Sequence, residues 1–143
     1  SDNYANIITN GRHDSSWTYR IYSGPPLLLN LNDTNGNRAN ASYSSTPEEW
    51  GHYVATYDGS TCRFYKNGAL INEDDSLTGD IESTSNPLRI GWDNASDEHF
   101  SGKIDDLRIY NRALKPWEVF ELYRWGTKGI DMRKKLVNQK GGL

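Results

Sequence analysis

A single cysteine, Cys62, stands among 143 residues. That excludes an internal disulfide and a cysteine-based zinc centre, and it gives no sign of an oxidising compartment. No stretch approaches the roughly 18 consecutive apolar residues that a membrane-spanning helix needs. Ser1 to Asn10 has no basic stretch followed by an apolar run, so no signal peptide is expected in this form. Apolar residues make up only 35% of the chain, and the net charge of -3 argues against non-specific nucleic-acid binding. Catalytic motifs are missing too. His13, His52 and His99 have no G-x-S-x-G nucleophile motif to serve. Glu73-Asp74-Asp75 sits in a turn where neighbouring carboxylates point apart, and Glu48-Glu49 precedes a strand. Neither arrangement flanks a glycosidic bond with an acid and a nucleophile or base, so these acids read as solvated surface.

Aromatic residues, by contrast, are abundant: nine Tyr and five Trp, with 13 Gly and a mean hydropathy of -0.83. That balance suits one-sided strands joined by polar loops. Short apolar or alternating runs follow one another, bounded by turn residues, at Tyr4 to Thr9, Trp17 to Tyr22 and Leu27 to Leu31, with a polar loop from Asn32 to Asn40. His52 to Tyr57 runs into Asp58-Gly59, and Cys62 to Lys66 into Asn67-Gly68, both hairpin signals. Further strands are predicted at Ala69 to Asn72, Leu88 to Trp92 and Lys103 to Tyr110. One helix is predicted from Pro116, with Val119, Leu122 and Tyr123 at helical spacing and Gly126 as its end. Beyond it lies a basic tail. Three N-x-S/T sequons begin at Asn32, Asn40 and Asn94, a number that chance supplies in a chain rich in Asn and Ser.

Three segments carry a family resemblance. Trp50 to Gly59 is similar to W-x-H-V-A-x-T-Y-D-G, Phe64 to Gly68 is similar to L-Y-V-N-G, and Phe100 to Tyr123 resembles F-x-G-x-I-D-D-V-R-I-Y-N-R-A-L followed by a Glu and a Leu-Tyr pair. In this order, with Pro87 to Gly91 between them, they resemble the laminin-G-like jelly-roll group of the concanavalin-A-like lectin/glucanase superfamily. The resemblance implies an all-β fold, an antiparallel two-sheet jelly-roll sandwich over residues 1–126 with one short helix near the C-terminus, while the basic tail over 127–143 departs from the family pattern. It also implies one or two opening strands before the segment at Ile7 to Gly11, whose absence would leave an unpaired edge. Catalytic relatives carry an E-x-D-x-E pattern that this chain lacks, so no enzymatic activity is expected.

The site residues follow from these readings. Ligand binding is expected at Trp92 with Asp93 and Asn94, and at Tyr57 with Asp58, because an aromatic ring beside polar groups suits sugars and proteins alike. Trp17 and Trp50 are expected to fill the core. Asp105 shares parity with Leu107 and Ile109, and an inward carboxylate needs a partner. The resemblance implies a calcium ion, Ca2+, as that partner. The loop from Asp93 to Glu98 is oxygen-rich but lacks EF-hand spacing. Arg133, Lys134 and Lys135 in the tail are expected to dock on an acidic surface of a neighbouring subunit, helped by Met132, Leu136 and Val137. The expected function is a non-catalytic recognition or adhesion module for a glycan or protein ligand on a cell or virion surface, without a nucleic-acid or membrane partner. The alternative is a structural assembly module, a homo-oligomer or larger assembly such as a virion decoration or surface-layer component.

Overall fold

The computed structural model of the chain describes residues 5–11, 17–24, 26–44, 50–92 and 99–127. Strands β1 (Ala5–Gly11), β2 (Trp17–Ser23), β3 (Leu27–Asn32), β4 (Arg38–Tyr43) and β8 (Leu88–Ile90) form an antiparallel sheet in the order β4-β3-β2-β1-β8. Strands β5 (Tyr53–Tyr57), β6 (Cys62–Lys66) and β7 (Ala69–Asp74) form a second sheet in the order β5-β6-β7. The two pack face to face as a β-sandwich.

Period-two patterning decides which side chains meet between them. Leu27, Leu29 and Leu31 of β3 and the small Ala39 and Ala41 of β4 join Cys62, Phe64 and Leu77 in one buried cluster. Phe64 and Cys62 are fully buried. Burial first, with the charge of Asp74 adding to it, pushes the Cys62 thiol up to about 12. This cysteine therefore behaves as a small apolar residue and not as a nucleophile. At the sandwich margin Lys66 donates from Nζ to the Tyr43 hydroxyl at 2.7 Å, tying the second sheet to the first.

The β6–β7 hairpin shows why its turn residues are needed. Asn67 (φ 52°) and Gly68 (φ 83°) both take left-handed conformations, as a two-residue I′ loop demands. A Cβ at Gly68 would lie 3.2 Å from the Cα of Phe120, so that glycine also lets the helix approach. Helix α1 spans 116–127. Its N-terminus is a built cap. Lys115 precedes Pro116 and donates its backbone N–H to Glu118 Oε2 at 2.8 Å, while its carbonyl accepts from the N–H groups of Glu118 and Val119. Arg112 grips the same carboxylate with two 2.7 Å bonds. Val119 and Leu122 of α1, with Leu114, pack over Tyr65 and Val54 on the outward face of β5–β6.

Three expectations are corrected. β4 begins inside what reads as a loop, because two of its three inward residues, Ala39 and Ala41, are alanines and give little apolar signal. Lys103 to Tyr110 is not a strand: among the described residues no ladder pairs it, and Asp106 (φ 52°) interrupts its extended run. Every residue from Ser101 to Arg112 is consequently exposed, Asp105 among them, so that carboxylate is not inward. Trp50, expected in the core, is 67% exposed, because the core is filled from β5 onward by Tyr53, Ala55 and Tyr57.

Phe64→Ala should cost about 3–5 kcal/mol, read as a lowered urea midpoint with an unchanged slope. Acid should loosen α1. Hydrogen bonding from Arg112, then from the Lys115 N–H, holds the Glu118 carboxyl at about 2, below its ordinary 4.5. Its contribution is thus present above pH 4.5 and lost as pH falls through about 2. Glu118→Gln should flatten that limb of a pH–stability curve and leave stability near neutrality lower than in the parent.

Candidate functional site

Trp92 follows β8, where backbone hydrogen bonds hold the chain on either side of the ring. Gly91 donates to the Ile7 carbonyl at 2.9 Å, and Phe100 donates to the Gly91 carbonyl at 2.8 Å. The Trp92 and His99 rings stack with centroids 5.7 Å apart and planes within 7°. Trp92 keeps 37% of its surface exposed. The result is a flat aromatic platform anchored on the sheet. Asp93 and Asn94, expected to accompany it, lie outside the described residues.

Tyr57 and Asp58 belong to the other sheet and are engaged in structure. The Tyr57 hydroxyl donates to the Gly79 carbonyl at 2.9 Å. Asp58 Oδ1 accepts from Ser60 N, Ser60 Oγ and Thr61 N, which folds the β5–β6 turn, and Oδ2 pairs with Arg63. The Arg63 guanidinium first, then the Thr61 N–H and Ser60, holds this carboxyl well below the usual carboxylate range. These two residues shape a turn of the second sheet.

Asp105 is exposed, and its Oδ1 accepts from the Asp106 N–H at 2.9 Å. Both Asp106 oxygens are taken by Arg108. Among the described residues no three of His, Cys, Asp and Glu gather into a metal centre. Arg133, Lys134 and Lys135 also lie outside the described residues. No helix among the described residues is long and apolar enough to cross a membrane.

Two surfaces escaped the sequence reading. Tyr110, Trp117, Glu121 and Trp125 line a groove of about 220 Å³ along α1. Trp117, Glu121 and Trp125 recur every four residues, so a helical-wheel reading of 117–125 would have found the stripe. The second is the outward face of the five-stranded sheet. Cross-strand register sets Arg89, Thr9, Arg20, Asn30 and Asn40 in one transverse row. Arg20 Nε donates to Asn30 Oδ1 at 2.8 Å, and Asn30 Nδ2 donates to Asn40 Oδ1 at 2.7 Å. Trp17, expected in the core, is instead buried on this outward face beneath two guanidiniums, with Arg20 4.4 Å and Arg38 5.4 Å from its ring centre. Only pairing register could reveal this row, since its members are scattered over 80 positions of sequence.

Residues 1–120 match the family described as the concanavalin A-like lectin/glucanases superfamily, of laminin-G type. A curated relative, adhesion G-protein coupled receptor V1 of Danio rerio, is 28% identical over 102 residues, which is 70% of this chain. The chain spans about 2% of that relative's length. A solved S-layer domain-containing protein from Clostridium thermocellum is 21% identical, with a TM-score of 0.42, over 86% of this chain and 64% of that one. The two-sheet sandwich, the Asn67-Gly68 hairpin under a capped helix and the match over residues 1–120 together place this chain in the laminin-G-like branch of the concanavalin A-like lectin/glucanase superfamily.

Proposed function

We propose that the chain is a non-catalytic recognition or adhesion module, acting outside the cell or on a cell or virion surface, and that it binds a glycan or protein through the platform at Trp92. The observation that carries this reading is the Trp92–His99 stack, held by the backbone bonds of Gly91 and Phe100. Flat aromatic surface held rigidly by backbone bonds costs little entropy on binding and offers both an apolar face and a polar edge. Membership of a superfamily that includes lectins, and similarity to part of a protein named as an adhesion receptor, support the same reading. In glycan-array and immobilised-ligand binding assays, Trp92→Ala should weaken retention about tenfold or more while the thermal transition stays in place. Retention equal to the parent would remove Trp92 from the site, and hydrolysis of a β-glucan by the purified chain would replace the reading with a glycosidase.

A second reading, assembly, is favoured by one specific observation. Ile104, Leu107, Ile109 and Tyr110 are 38–57% exposed along an extended run, and among the described residues β5 is an edge strand with a ladder on one side only. An unpaired edge beside exposed apolar side chains is a template for another chain's strand. Under this reading a second copy covers them. Light scattering should then give a multiple of the 16.3 kDa chain mass, and the double variant Leu107→Lys, Ile109→Lys should return it to one. A parent that is monomeric at high concentration removes the assembly reading.

A further inference from the structure

Among the described residues, His52 is the histidine that the Trp92 platform does not use. It stands immediately before β5, and the β6–β7 turn pins its backbone on both sides. Its N–H donates to Asn67 Oδ1 at 2.9 Å, and its carbonyl accepts from the Asn67 N–H at 2.8 Å. From that fixed origin the ring reaches helix α1 and packs on Tyr123, with centroids 6.2 Å apart. Tyr123 is itself seated on the turn, since a Cβ at Gly68 would lie 3.3 Å from its Cδ1. His52 Nδ1 is buried and has no hydrogen-bond partner.

A neutral imidazole tolerates this place, because one of its nitrogens carries no proton. An imidazolium donates from both nitrogens, and here it would bury an N–H with no acceptor. No neighbour among the described residues stands ready to receive that charge. Asp106 and Arg108, in the exposed 101–112 run, act on the ring with opposite sign, and they are paired with each other at 2.9 Å. On α1 the charges flanking Tyr123 are Glu121 and Arg124, which also pair together. Lys66 belongs to the inward face, with Tyr43 and Tyr53. Burial first holds the His52 imidazole below its ordinary 6.5, with Asp106 pulling it up and Arg108 pushing it down.

We propose that His52 is an acid-sensitive latch for helix α1: on protonation its ring leaves Tyr123, and the C-terminal half of the helix lifts from the β5–β6 face. A base held below its ordinary value in the closed form takes a proton more readily in the opened one. Closure is therefore fully favoured above 6.5 and weakens as pH falls below it, until the closed form itself is protonated. The other end of the helix stays tied. The Glu118 carboxylate keeps its cap until pH falls below 4.5, so in milder acid the helix pivots on Lys115–Glu118. What the pivot uncovers is apolar: Tyr65 and Val54 on the sheet, Leu122 on the helix. The latch belongs to the other sheet from Trp92 and goes beyond the recognition reading.

The test is amide hydrogen exchange of the full chain at about pH 7.5 and about pH 5.5, read by mass spectrometry and corrected for intrinsic rates. Peptides over 119–127 should lose protection by up to about tenfold per pH unit below 6.5, the limit for one proton. They should also exchange ahead of peptides over β3, which marks the opening as local. His52→Gln should remove the response. Two exposed substitutions vary the charge balance without touching the contact, and they decide the matter even if His52→Gln does not fold. Asp106→Asn removes the charge that favours protonation and should enlarge the response; Asn suits the φ of 52° there. Arg108→Gln leaves Asp106 unpaired and should shrink it. Equal protection at the two pH values, a response kept in His52→Gln, the reverse order in the two charge variants, or one common rate for 119–127 and β3 would each overturn the assignment.

Discussion

Cys62–Lys66 is buried from both sides, and every layer of the molecule meets on it. Cys62 and Phe64 point into the sandwich against Leu27, Leu29, Leu31 and the two alanines of β4. Tyr65 points the other way, under Leu114 and Val119. A strand that is apolar on both faces needs a cover on both, and here the five-stranded sheet supplies one and α1 the other. The cap at Lys115–Glu118, the fork from Arg112 and the close approach at Gly68 are what seat the helix on the outer cover. Loss of any of them acts on Tyr65 before it acts on the sandwich core.

That constraint leaves the two outward surfaces of the sheets chemically unlike. The outward face of β5–β6 is closed by a helix with apolar residues beneath it. The outward face of the larger sheet is furnished with amides, hydroxyls and stacked arginines, and Asn6, Thr9, Thr18, Asn30 and Asn32 on it are buried. Polar side chains on such a face satisfy one another through cross-strand pairs, as Arg20, Asn30 and Asn40 do.

The apolar run from Ile104 to Tyr110 is the least expected feature for a folded domain. Its alternation is that of a strand, yet it has no ladder among the described residues and its apolar side chains face solvent. Exposed apolar surface of this kind marks an interaction surface. Together with the one-sided β5 edge and the aromatic stripe of α1, it gives the assembly reading its physical basis.

Much of the fold was legible in the sequence because strand patterning and turn chemistry are local. Cys62–Lys66 fell where its flanking Asp58-Gly59 and Asn67-Gly68 turns put it, and Pro116 marked the first turn of the helix. Trp17 was expected in the core and is buried instead on the outward face of the larger sheet, beneath Arg20 and Arg38. β4 was not legible, because alanines pointing inward carry little apolar signal. Trp50 and the 103–110 run were misjudged for a related reason: a residue's own pattern says which face it prefers, and only a neighbour determines whether that face is covered. The candidate site divides the same way. Trp92 could be named from its place at a strand end, whereas Tyr57 and Asp58 looked equally suitable until hydrogen bonds to Gly79, Ser60, Thr61 and Arg63 committed them to structure. The sequence by itself determined that this is a β-sandwich with a helix opening at Pro116, through period and turn residues that act over a few positions. Only the tertiary structure decided which aromatics are exposed and that Arg20, Asn30, Asn40 and Arg38 share one face. Cross-strand register and burial are relations between distant segments, and no single stretch of sequence contains them.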